Sequence, residues 1–81
     1  MTRDEIAAVL AEELSRIAPE VSVDEVDRGR EIRDEFEIDS MDFLNLVTAL
    51  HKRLGVAIPE ADYDRLATMD GAVEYLAARV G

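Results

Sequence analysis

Two stretches of this chain repeat apolar side chains at intervals of three and four residues, a period that fits one face of an α-helix and no strand. Between Arg3 and Ala18 the stripe is Ile6, Val9, Leu10, Leu14 and Ile17. Between Ser40 and Leu54 it is Phe43, Leu46, Val47, Leu50 and Leu54. Both stretches carry end signals. Thr2 with Glu5 three positions on reads as a capping box, and Pro19 marks where the first helix can no longer continue. Gly55 is placed to stop the second. Beyond Pro59, the stretch Asp62 to Leu66 has room for a short helix only, and Thr68 caps a last one through Val73, Leu76 and Val80.

The segment from Glu20 to Asp39 has no sustained period. It holds Gly29 and alternating charges, yet Val21, Val23, Val26, Ile32 and Phe36 can tack it onto a core, so it reads as a long structured loop. A loop of that length in a compact domain needs a job, which makes it a weak sign of function in itself. The expected fold is all-α: a small four-helix bundle of three main helices plus a short third one, with the long loop between helices one and two. Its 81 residues leave no room for a second domain, so 1–81 is read as a single unit and as a monomer.

Nineteen acids against nine bases give a net charge of -10, which repels nucleic acid and anionic membranes and attracts basic protein surfaces. No apolar run approaches the length of a membrane span, and Met1-Thr2-Arg3-Asp4-Glu5 lacks the apolar core of a secretory signal. A cytoplasmic protein is expected. The sequence has no cysteine, so any thiol chemistry must come from a cofactor. Its one histidine, His51, lies eleven residues beyond Ser40 on the same expected helix, about 16 Å of rise away. A serine nucleophile needs a base within hydrogen-bond reach, so hydrolase chemistry is disfavoured and His51 reads as a solvated surface residue. Glu60, Asp62 and Asp64 have alternate spacing, but the glycine and terminal glutamate of a calcium loop are missing, and no metal site is expected.

The segment Phe36-Glu37-Ile38-Asp39-Ser40-Met41-Asp42-Phe43 resembles the Asp-Ser-Leu attachment motif of acyl and peptidyl carrier proteins, with Met41 in place of the commoner leucine. The context extends the resemblance over nearly the whole chain: an amphipathic helix, a long loop, the motif at a helix start, and then Leu54-Gly55-Val56-Ala57-Ile58-Pro59-Glu60 where carriers place their Ile-Pro segment. The resemblance implies a non-enzymatic carrier. Ser40 would bear a covalent 4′-phosphopantetheine arm donated by coenzyme A through a separate phosphopantetheinyl transferase with magnesium. The arm would hold an acyl or aminoacyl group as a thioester for lipid or secondary-metabolite biosynthesis. Asp39 and Met41 flank that serine, and Ile58 matches an apolar position near the arm. The implied partners are the transferase, an acyl- or aminoacyl-loading ligase and downstream acyl-processing enzymes.

A serine in the first turn of a helix suits a phosphodiester, because unpaired backbone N–H groups and the helix dipole converge there. The plainer alternative is that Asp39 or Ser40 is an N-cap and nothing more. Asp34, Glu35, Glu37, Asp39 and Asp42 surround the serine and can steer a basic enzyme surface, or can be a solvated loop. Met41, Leu44 and Thr48 form a semi-apolar strip beside Ser40 away from the core, so partner contacts are expected at Asp42, Leu44, Asn45 and Thr48. Two departures from the family stand out. Phe36-Glu37 occupies the place of a frequent Leu-Gly, and Asn45, His51 and Lys52 fall where fatty-acid carriers bear exposed glutamates. The competing reading of the whole chain is a non-carrier acidic helical module for protein interactions.

Overall fold

A computed structural model describes residues 1–80. Its helices are α1 (Arg3–Ile17), α2 (Ile32–Glu35), α3 (Ser40–Leu54) and α4 (Met69–Arg79), with 3₁₀ helices at Val23–Glu25 and Glu60–Leu66. The ends follow the local chemistry. Thr2 Oγ1 accepts from Glu5 N at 3.1 Å while Glu5 Oε1 accepts from Thr2 N at 2.8 Å, a closed capping box. That bonding lowers the Glu5 carboxyl below its ordinary range. Gly55 ends α3 at φ 67°, a left-handed conformation that glycine adopts without strain. Thr68 caps α4 through Gly71 N at 2.9 Å.

The helix α1 packs against both α3 and α4, and the second 3₁₀ helix packs against α4. The stripes meet in one core that includes Leu10, Leu14, Leu46, Leu50 and Leu76, each at most 1% exposed. Leu54 departs from the expected pattern: at the last turn of α3 it lies on the rim, half-buried. Polar clamps tie the helices at their edges. Arg53 on α3 bonds Glu12 at 2.8 Å and the buried Glu13 at 2.9 Å on α1. The phenol of Tyr75 donates to Asp62 at 2.6 Å, and the Arg79 guanidinium lies 3.7 Å from the Tyr75 ring centroid. Asp62 is therefore committed to the α4 contact.

The segment expected as a long loop is more ordered than its sequence suggests. It contains a 3₁₀ turn and the four-residue α2, and it buries Ile32, Phe36 and Ile38. Its backbone is pinned to the start of α4 and the residues just before it: Ile32 N donates to Ala67 O at 2.7 Å and Asp70 N to Arg28 O at 3.2 Å. Four residues are too few to show a 3.6-residue period, so α2 leaves no periodic trace. The short third helix is 3₁₀ throughout and begins at Glu60, two residues before the expected start.

Candidate functional site

The site is built where α2 turns into α3. After α2, Phe36 N bonds back to Ile32 O at 2.9 Å and Ile38 N to Arg33 O at 3.1 Å. This six-to-one closure of a helix C-terminus needs a left-handed residue inside it, and Glu37 supplies it at φ 53°. The glycine usual at this place in the family is absent, but the conformation that calls for it is kept. The turn delivers Asp39 to the head of α3, where its carboxylate accepts from Asp42 N at 2.9 Å. Asp39 is thus the cap. Ser40, the first residue of α3, is exposed and free of that duty, and its hydroxyl accepts a hydrogen bond from Arg33 Nη2 at 3.1 Å.

Beside Ser40 opens a groove of about 450 Å³. Arg33, Ser40, Phe43, Leu44 and Tyr63 line it together with the acidic residues Glu31, Glu60 and Asp64. Phe43 and Tyr63 meet edge to face at 6.4 Å between ring centroids, which fixes the groove floor. A second groove of about 470 Å³ runs along the other side of Tyr63, between Val47, Thr48 and His51 of α3 and the Ala57-Ile58-Pro59 segment. Ile58 therefore lines the neighbouring groove and not the one that holds Ser40.

The remaining residues of interest lie along α3. Met41 is 66% exposed and Leu44 42%, unusual values for large apolar side chains. Asn45 and Thr48 are exposed on the same helix and Asp42 is half-buried. His51 is exposed, as expected, but its imidazole is engaged: Nδ1 lies 2.8 Å from Val56 O and braces the chain as it leaves Gly55. Arg33 is the residue that the sequence did not single out. Seven positions separate it from Ser40, and only the left-handed turn brings the two together.

The Ser40 hydroxyl is exposed at a helix head, and the sole histidine is engaged with Val56 O further along the helix. A small helical bundle with an exposed serine at a helix head is the arrangement that the resemblance to carrier domains implies. Comparison with known proteins names the family. The profile described as "Phosphopantetheine attachment site" matches residues 3–76. The chain is 32% identical over 75 residues to an acyl carrier protein of Campylobacter jejuni subsp. doylei, covering 93% of this chain and 91% of that protein. It is 29% identical over 77 residues to an acyl carrier protein of Acidothermus cellulolyticus, covering 95% and 90% of the two chains. The solved structure of an acyl carrier protein from Enterococcus faecalis superposes with a TM-score of 0.82 at 26% identity, over 98% of this chain and 99% of that one. This chain belongs to the acyl carrier protein family. It is a carrier bearing a covalent 4′-phosphopantetheine group, not a catalyst, and the reading as a non-carrier interaction module is not favoured. Biosynthetic enzymes and a phosphopantetheinyl transferase are the partners of the family. Among the described residues no helix is long and apolar enough to cross a membrane.

Proposed function

We propose that residues 1–81 act as a single carrier domain, monomeric and cytoplasmic, in which Ser40 bears the phosphopantetheine arm. The observation that carries the assignment is the division of labour at the head of α3: Asp39 takes the cap and leaves the Ser40 hydroxyl exposed. The N-terminal N–H groups of α3 and the helix dipole favour the phosphodiester. The group supplies the thiol that the cysteine-free chain lacks, and with it the thioester that keeps an acyl or aminoacyl cargo reactive. Asp39 holds the helix head in place, Met41 and Leu44 offer apolar contact next to the serine, and Ile58 serves the neighbouring groove. Asp42, Leu44, Asn45 and Thr48 form the surface offered to enzymes. The Ser40 oxygen bonds to the pantetheine-bearing phosphorus of coenzyme A, the diphosphate bond breaks with adenosine 3′,5′-bisphosphate as the leaving group, and the hydroxyl proton goes to a base on the transferase. Incubation with coenzyme A, magnesium and a broad-specificity transferase, followed by intact mass, is the test. The native chain should gain one phosphopantetheine and Ser40→Ala none. Uptake by the Ala variant sinks the assignment.

The second helix points to particular partners. Asn45, His51 and Lys52 replace acids on the exposed face of α3, so enzymes of primary fatty-acid synthesis that dock through basic patches lose attraction here. A dedicated loading ligase outside that pathway, reading Met41, Leu44 and Thr48 with the acidic loop, fits this surface. Loading and elongation by a fatty-acid synthase set should be poor and should improve in Asn45→Glu plus Lys52→Glu. Efficient elongation of the native chain with no gain in the variant refutes the partner reading.

A further inference from the structure

The loop ahead of α3 carries three arginines, and they are not equivalent. Arg28 is paired with Asp70 at 3.3 Å and Arg30 with Glu35 at 3.7 Å. Arg33 takes part in none of the ion pairs among the described residues, in a chain with nineteen acids. Its guanidinium instead reaches the Ser40 hydroxyl at 3.1 Å. An arginine without a carboxylate partner, aimed at a neutral oxygen, has an unmet preference for an anion.

The placement is enforced by backbone. Arg33 is the residue whose carbonyl closes the turn with Ile38 N at 3.1 Å, around the left-handed Glu37. The same turn fixes the entry to α3 and hence Ser40. The acids that share the groove, Glu31, Glu60 and Asp64, leave the guanidinium as its source of positive charge besides the helix head.

We propose that Arg33 is a phosphate-holding residue of this carrier: it grips the phosphodiester formed on Ser40 and so sets the direction in which the arm leaves the protein. The proposal rests on the assignment of Ser40 as the attachment residue. A phosphoryl group on the Ser40 oxygen comes within reach of the donor that already bonds that oxygen, and it offers the planar fork two acceptor oxygens where the hydroxyl offers one. Both partners face solvent, so the grip biases the arm without locking it, by a factor of roughly 1.5 to 5 in population. Glu31, Glu60 and Asp64 disfavour a phosphate in the same groove, so loss of Arg33 leaves the helix head as its source of positive charge.

The test uses enzymatically loaded holo-protein of the native chain, Arg33→Gln and Arg33→Lys. Intact mass shows that each carries the arm, and helical circular dichroism shows that each is folded. The phosphodiester is then followed by ³¹P NMR at low salt and at about 1 M salt, where the Debye length falls to about 3 Å. At low salt the native resonance should relax more slowly in Arg33→Gln, with a changed chemical shift, because the phosphate gains motion of its own. Arg33→Lys should fall between the two, since a point charge restores attraction but not the fork. High salt should bring native and Gln spectra together. Identical ³¹P shift and relaxation in loaded native and Arg33→Gln proteins overturns the proposal while leaving Ser40 as the attachment residue. Failure of the native chain to gain mass removes the Ser40 assignment and this proposal with it.

Discussion

Replacing Glu37 with glycine should make this protein more stable, although glycine generally weakens a fold. Glu37 sits at φ 53°, and an L residue in that region is disfavoured by about 1–2 kcal/mol through the clash of its Cβ with the backbone. The Glu37 side chain is exposed and makes none of the hydrogen bonds or ion pairs found among the described residues, so its removal forfeits no contact. Against the relief stands the greater freedom of glycine in the unfolded chain, about 0.5–1 kcal/mol. The net gain is about 0–1.5 kcal/mol, centred on about 0.75, and a domain of this size turns 1 kcal/mol into roughly 4–8 °C of melting temperature. Glu37→Ala is the control, because it removes the same charge but keeps the Cβ. The assay is urea unfolding followed by circular dichroism, with the midpoint read at constant slope. The reasoning predicts the order Gly above Ala, with Ala near the native residue. Equal stability of the Gly and Ala variants would show that charge, not backbone strain, governs the position, and a less stable Gly variant would refute the strain argument outright.

Leu50→Ala should cost about 2–5 kcal/mol, since the side chain is 1% exposed at the centre of the α3 stripe; unchanged melting would mean the stripe faces elsewhere. Asp39→Ala should cost about 1 kcal/mol through loss of the cap to Asp42 N, whereas Ser40→Ala should change stability by less than about 0.5 kcal/mol, and equal losses in denaturant would show that the capping duty is shared. Arg53→Met should destabilise the fold, because it leaves the buried Glu13 carboxylate with Arg16 alone, 3.6 Å away; a smaller loss for Glu13→Gln plus Arg53→Met together is the expected double-mutant result in urea unfolding. Burial and the hydrogen bond to Asp62 raise the Tyr75 phenol above its ordinary range. The unfolded chain then releases that proton first, so stability is complete below the ordinary tyrosine pKa and falls as pH rises through the tyrosine range. Tyr75→Phe should flatten that alkaline loss, and an unaltered pH profile would assign it to another group.

The two long helices were legible because each encodes its own ends and its own inward face. The capping box at Thr2, the stripe from Phe43 to Leu50 and the stop at Gly55 are all local, and α3 spans the residues that its pattern dictates. The motif that proposes Ser40 as the attachment residue was legible for a related reason. The motif around Asp39 and Ser40 is contiguous, and its chemistry resides in one helix turn. What local reading could not divide was the work between the two residues. Either one can cap a helix, and only the bond from Asp42 N to the Asp39 carboxylate gives the cap to Asp39 and frees Ser40.

The loop from Glu20 to Asp39 was decided by tertiary structure. Its short helix α2 is held by Ile32 and Phe36 in the core and by the bond from Ile32 N to Ala67 O, while Arg28 O ahead of it accepts from Asp70 N; both partners are distant in sequence. Glu37 is the sharpest case. Intrinsic preference argues against a left-handed glutamate, yet the buried Phe36 and Ile38 on either side, together with the bond from Ile38 N to Arg33 O, impose it. That one turn also sets Arg33 over Ser40. Helix caps and stripes act over three or four residues and can be read along the chain. The meeting of Arg33 with Ser40 depends on a turn that only the finished core pays to hold, so it is visible in three dimensions alone.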